Sequence, residues 1–273
     1  MSATLLALGA AASLAIATIF TKRMVVAYPP RQLIGPLFGL NALLVVPALP
    51  FVHWHVSWTI AALHLASVTC LVFGSWCVFK LFVHGSASAV AVGQATAPIP
   101  AVVFTALLLS TSVTWTQAIA ASIVSVAVLS AVRGSFGDLP GSRAIPLVAT
   151  NASLNGLLVV LAKLLTNRGL GVAEIYAVRT ALAALIWIAV APPRDISPHA
   201  VPKLFARAAF STGYFALVLL ALQRGSPATV QTLVATTPLM LLFGTFLVRR
   251  RALPLRLVFA GCAVVAGVAL ATH

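Results

Sequence analysis

The sequence predicts an all-α integral membrane protein of ten transmembrane helices, arranged as two inverted five-helix repeats. Three observations carry this. Of the 273 residues 61% are hydrophobic and 7% charged, and mean hydropathy is +1.09, whereas a water-facing protein carries about 25% charged residues. Apolar runs close to the ~20 residues that cross a hydrocarbon core follow one another with short gaps. One stretch of the first half recurs in the second without a gap, with Pro98 matched to Pro238.

The composition excludes a soluble enzyme, a nucleic-acid binder and a disordered chain. A formal charge of +14, from 17 basic against 3 acidic residues, would suggest nucleic acid in a soluble protein. Here the basic residues fill gaps between apolar runs, so the membrane reading takes precedence. Barrel strands would alternate apolar and polar residues. The runs are unbroken, and a helix satisfies its own backbone in lipid.

Spans are expected at 3–20, 33–51, 58–79, 87–109, 114–132, 145–165, 172–191, 204–222, 227–247 and 253–271. The first is followed at once by Lys22 and Arg23 and lacks a basic leader region, so a retained helix is expected rather than a cleaved signal. Between the second and third, Trp54 and Trp58 fit an interfacial aromatic belt. Cys70, Cys77 and Cys262 lie in spans without metal spacing and read as small core residues. His53-Trp54-His55 has no third ligand nearby, so neither metal nor cofactor is expected. No gap holds a soluble domain; the halves are 1–135 and 144–273.

The halves share a register. Gly85-Ser86, Val90 and Ala95-Thr96-Ala97-Pro98 of the fourth span match Gly225-Ser226, Val230 and Ala235-Thr236-Thr237-Pro238 of the ninth. The match continues through Thr105 and Thr245, Ala120 and Ala260, Val124 and Val264, and Val128 and Val268. Ala12-Ser13-Leu14 matches Ala152-Ser153-Leu154 at the same offset. With five spans per half, the second half must sit upside down relative to the first. Inverted repeats are typical of secondary transporters, whose substrate site lies near the midplane between the repeats.

The Gly-Ser turns, the spans with Pro98 and Pro238, and the last helix with Gly261 and Gly267 resemble the drug/metabolite transporter superfamily, in its EamA-type ten-helix branch. The resemblance covers nearly the whole chain. It implies export or exchange of small metabolites through a central cavity lined by both halves. The pattern usually has a Glu after the fourth and ninth spans, where this chain has Ser110-Thr111-Ser112 and Arg249-Arg250-Arg251.

Five loop regions on one face hold thirteen of the 17 basic residues: Lys22, Arg23, Arg31, Lys80, Arg133, Arg143, Arg194, Lys203, Arg207, Arg249, Arg250, Arg251 and Arg256. The other face holds Lys163, Arg168 and Arg224. Basic loops stay cytoplasmic, which places both termini outside, whereas the family resemblance implies termini inside. We expect single cysteines introduced near Arg250 to resist an impermeant thiol reagent in intact cells. Strong labelling from outside would reverse the assignment.

Several residues are candidates for the substrate site. Asn151 and Asn155 share one face of the sixth span, as a hydrogen-bonding edge or as interhelical glue. Pro98 and Pro238 remove a backbone donor and free a carbonyl one turn earlier. They are candidate gating kinks, with Thr96 and Thr236 beside them and Gln94 and Gln231 pointing inward. Arg179 is either an anion anchor or an arginine snorkelling near Glu174. His64 is a proton-relay candidate, and Trp76 and Tyr214 stack on substrate or pack the bundle. The small faces Gly9/Ser13/Ala17 and Ala263/Gly267/Ala271 suit close helix packing, internal or in a dimer; a monomer is favoured. The expected partners are a small-molecule substrate and the lipid bilayer of a bacterial-type inner membrane, with no nucleic acid.

The reading is a secondary transporter, exporter or exchanger, of a small neutral, zwitterionic or anionic metabolite such as an amino acid. The alternative is a membrane-embedded enzyme acting on lipid-like substrates. Against it, no H-E-x-x-H motif and no intramembrane carboxylate pair is present.

Overall fold

The computed structural model describes residues 2–83, 87–109, 113–133, 144–193, 196–248 and 255–272. Gly85-Ser86, Ser110-Thr111-Ser112, Arg143, Arg194, Arg249-Arg250-Arg251 and the acids Asp138 and Asp195 lie outside these residues. The described residues form α1 (Ala3–Ala27), α2 (Pro30–Val45), α3 (Trp58–Val83), α4 (Ala87–Thr96), α5 (Pro98–Leu108) and α6 (Trp115–Arg133) in the first half. The second half has α7 (Ile145–Asn167), α8 (Val172–Val190), α9 (Val201–Arg224), α10 (Pro227–Val234), α11 (Thr237–Val248) and α12 (Leu255–Thr272). A 3₁₀ turn, Val46–Phe51, extends α2, and another, Pro198–Ala200, precedes α9. The fourth span is therefore α4 and α5, broken at Ala97, and the ninth is α10 and α11, broken at Ala235-Thr236. Eight spans are long and apolar enough to cross a bilayer, and Trp115–Ala131 and Leu257–Ala271 are shorter apolar helices.

Helix ends follow local chemistry. Ser2, Ser57, Thr114 and Ser226 place a side-chain oxygen on the backbone N–H three residues later, at 3.2–3.3 Å, satisfying a donor left open at each N-terminus. Pro30, Pro98 and Pro227 open α2, α5 and α10, where the missing N–H costs nothing. At the end of α7, Gly169 has φ 87°. Its N–H donates to the Thr166 carbonyl, and Leu170 N–H reaches back to Leu165, a left-handed cap that suits glycine.

Helices of one half pack mainly on helices of the other, in pairs related by a pseudo-two-fold axis. The α1–α9 contact has its mate in α7–α3, and α1 against α10 and α11 mirrors α7 against α4 and α5. The axis passes between α2 and α8 and between α6 and α12. Both small faces serve this internal packing. On α1, Ala10 and Ala17 are buried, Gly9 lies against Leu217 of α9 and Ser13 against Gly213. On α12, Gly267 lies against Val124 of α6. Gly156 of α7 touches the Ala101 backbone, where a Cβ would come within 2.7 Å of the amide nitrogen. Outward-facing Leu107, Val126, Leu185, Phe259 and Val265 are each at least 65% exposed, an apolar belt suited to lipid.

The helices run beyond the apolar runs that announce them, which corrects several loop assignments. Lys22 and Arg23 belong to α1, Arg31 to α2, Lys80 to α3, Lys203 and Arg207 to α9, and Arg256 to α12. A long basic side chain at a helix end can lay its stem along apolar surface while its charge reaches water.

Candidate functional site

A central cavity of about 120 Å³ lies between the halves. Its wall is built from α1 (Leu14, Thr18, Thr21), α2 (Phe38, Asn41), α3 (Cys70, Gly74, Phe79, Phe82) and the broken fourth span (Val90, Gln94, Ala97). The second half adds Asn155 of α7, Arg207, Ser211, Tyr214 and Phe215 of α9, and Gln231 of α10. These residues run from mid-helix positions to Thr21 and Phe82, near the ends of α1 and α3 that lead to the basic loops.

Of the sequence candidates, Gln94, Asn155, Gln231 and Tyr214 line this cavity. Asn155 is held by its own helix: Nδ2 donates to the Asn151 carbonyl and to Asn151 Oδ1, both at 2.8 Å. Asn151 itself is fully buried and packs against Gly93, with Nδ2 lacking a partner among the described residues. It supports the cavity wall from behind.

The other candidates lie elsewhere. The Thr96 hydroxyl donates to the Val92 carbonyl at 2.9 Å and that of Thr236 to Leu233 at 2.7 Å; both bond back to carbonyls of the preceding helical turn. Beside Pro238, Thr237 Oγ1 donates at 2.6 Å to Val234, the carbonyl the proline leaves free. Trp76 is partly exposed, and Lys80 Nζ lies 5.6 Å from its ring centroid; the pair faces outward, toward lipid and interface. Arg179 is buried rather than snorkelling: Nε and Nη2 lack partners among the described residues. It lines a small void next to the central cavity, with Asn155, Leu158, Tyr214 and Phe215 shared between the two. His64 is buried within electrostatic reach of Arg179, its Nδ1 unpartnered among the described residues.

Glu174, the expected neighbour of Arg179, pairs instead with the loop before α3. It accepts from His55 N–H at 2.8 Å and lies 3.2 Å from His55 Nδ1. Three more ties close the same end of the bundle. Lys163 Nζ donates to the Leu222 carbonyl near the end of α9 at 2.6 Å, Gln117 Nε2 to Ser226 Oγ at 3.3 Å, and Thr229 Oγ1 to the Ala271 carbonyl at 3.3 Å.

Sequence reasoning missed a polar cluster on the cavity's basic side. Arg207, counted there as a loop residue, lines the cavity two turns into α9. Its Nε donates to Thr21 Oγ1 at 3.2 Å and its Nη1 to Ser211 Oγ at 3.3 Å. Ser211 Oγ in turn lies 2.9 Å from Asn41 Oδ1. Asn41 is fully buried, and its Nδ2 has no partner among the described residues. The Gln231 Oε1 is orphaned in the same way from the other half. Buried polar atoms are nearly always bonded, and both of these orphans belong to residues that line the cavity. The signal for Arg207 is in the sequence: apolar residues flank it on both sides, and Ser211 follows four residues on.

The profile of the EamA-like transporter family matches residues 1–133 and 142–272. No curated relative matches the chain. A crystal structure described only as that of a protein has a similar fold, with TM-score 0.78 and 18% identity over 99% of this chain and 98% of its own.

Proposed function

We propose that this chain, which belongs to the EamA-like transporter family, works as a secondary carrier of a small neutral, zwitterionic or anionic metabolite such as an amino acid, exporting or exchanging it across a cell membrane by alternating access. The observation that carries the reading is the central cavity. Both inverted halves line it, orphaned amide atoms of Asn41 and Gln231 border it, and among the described residues no carboxylate lines it.

A carrier must close one end while the other is open. The ties His55–Glu174, Lys163–Leu222, Gln117–Ser226 and Thr229–Ala271 hold the end away from the basic loops, while the cavity extends toward those loops. The broken spans at Ala97 and Ala235-Thr236 sit where the halves meet and supply hinges for the exchange of ends. Arg179 lies on the closed side of Tyr214 and Phe215 and meets substrate when that end opens.

The test is transport itself. A tolerance screen in cells against amino acids, sugars, nucleobases and drugs selects the substrate, and purified protein in vesicles is then assayed with it. The expected result is saturable flux with counterflow. Turnover of a lipid without net flux would replace the carrier with the membrane-enzyme reading.

A further inference from the structure

We propose that Arg207 and Asn41 form a carboxylate-binding site at the basic-face end of the cavity, and that the substrate is a monocarboxylate. The proposal rests on the carrier reading and names its substrate class.

Among the described residues Arg207 is the one arginine or lysine on the central cavity wall, and no acidic residue among them lies within ion-pair distance of it. Its two hydrogen bonds, to Thr21 and Ser211, fix the plane of the guanidinium. They engage only part of its donor fork and leave the rest for a ligand. Across the same cavity wall, Ser211 holds Asn41 through Oδ1 and leaves Nδ2, a second donor, without a partner. A fork of N–H groups beside an amide N–H₂ matches the two oxygens of a carboxylate. One guanidinium balances a single negative charge. A phosphate dianion would keep an uncompensated charge in a site of low dielectric, which is costly.

Beyond the polar cluster Phe38, Phe79, Phe82, Tyr214 and Phe215 stand beside Gln94 and Gln231, so the remainder of the ligand is largely apolar with room for a polar group at the glutamines.

The experiment uses the full chain in nanodiscs and radiolabelled 3-phenylpropionate as probe, with 3-phenylpropionamide and 3-phenylpropyl phosphate as competitors. Wild type is expected to bind the acid saturably. The amide should compete at least tenfold more weakly than unlabelled acid, since a charge-assisted pair is worth about 1.5–3 kcal/mol, and the phosphate should compete no better than the acid. Arg207→Gln should weaken binding by at least tenfold. Arg207→Lys keeps the charge without the fork, folds by the same melting criterion, and should show an intermediate loss. Absence of saturable binding to wild type, binding unchanged in both variants, or tighter binding of the phosphate would each overturn the site. Failure of the carrier reading is distinguishable: binding that depends on Arg207 without counterflow in vesicles removes the carrier and keeps the site. Counterflow of a neutral solute indifferent to Arg207→Gln keeps the carrier and removes the site.

Discussion

Arg179→Met is expected to raise the thermal midpoint of the protein and to abolish transport. The guanidinium is buried, two of its nitrogens lack partners among the described residues, and Glu174 is engaged by His55 instead. Taking such a charge out of water costs several kcal/mol, and replacing buried ionic groups by apolar ones of similar volume often stabilises by about 1–4 kcal/mol. Methionine matches the unbranched stem and fills the space beside Val159, Ala162 and Val218. A chain that retains so costly a residue gains something else from it, and the void it shares with Asn155 and Tyr214 places it where substrate arrives when the closed end opens. Transport per folded molecule should fall by at least tenfold, because an anion passing that position would lose its countercharge. The measurements are a melting curve in detergent and counterflow in vesicles. A lower midpoint with unchanged flux would make Arg179 a structural residue.

The fold was legible because its signals are local or periodic. Apolar length fixes a span, Ser226-Pro227 fixes a helix start, and the register from Gly85 to Val128 fixes the duplication. The small face of α1 was equally visible, but its partner was not: Gly9 meets Leu217 and Ser13 meets Gly213 some two hundred positions away, and no local rule links them. The site was legible where an amide interrupts an apolar run, as with Gln94, Asn155 and Gln231. Asn41 carries the same signal and was passed over. Arg207 was lost for a physical reason. Basic residues near a span end count toward orientation, yet Arg207 lies inside the expected span and two turns into α9, where its guanidinium turns to the cavity. Trp76 is ambiguous from sequence, since an aromatic suits cavity, core and interface alike, and only the rotation of α3 decides. The threonines beside the prolines carry an ambiguous signal: a hydroxyl there has carbonyls of the preceding turn within reach, and Thr96, Thr236 and Thr237 use them.

Vesicles carrying the wild-type protein and an imposed pH gradient are expected to export no ethidium above protein-free controls, while the carboxylate substrate class shows saturable flux. A lipophilic cation entering a cavity of low dielectric needs a countercharge, and proton antiport needs a group that exchanges the proton for the cation, a role intramembrane carboxylates commonly fill. The chain has three acidic side chains, Asp138, Glu174 and Asp195. The two aspartates fall between spans in the sequence, and Glu174 is held by His55 at the closed end, away from the cavity wall. The charged residue that does line the cavity is Arg207, which repels a cation and attracts an anion. His64 is the remaining titratable group deep in a span that could relay a proton, and it sits behind the wall, beside Arg179, rather than on it. His64→Ala therefore serves as the control: with no ethidium export to lose, it leaves the wild-type result unchanged. Robust ethidium export that survives the loss of His64 would show that a cation finds its countercharge elsewhere, and would overturn both the assigned substrate charge and the carboxylate site built on Arg207.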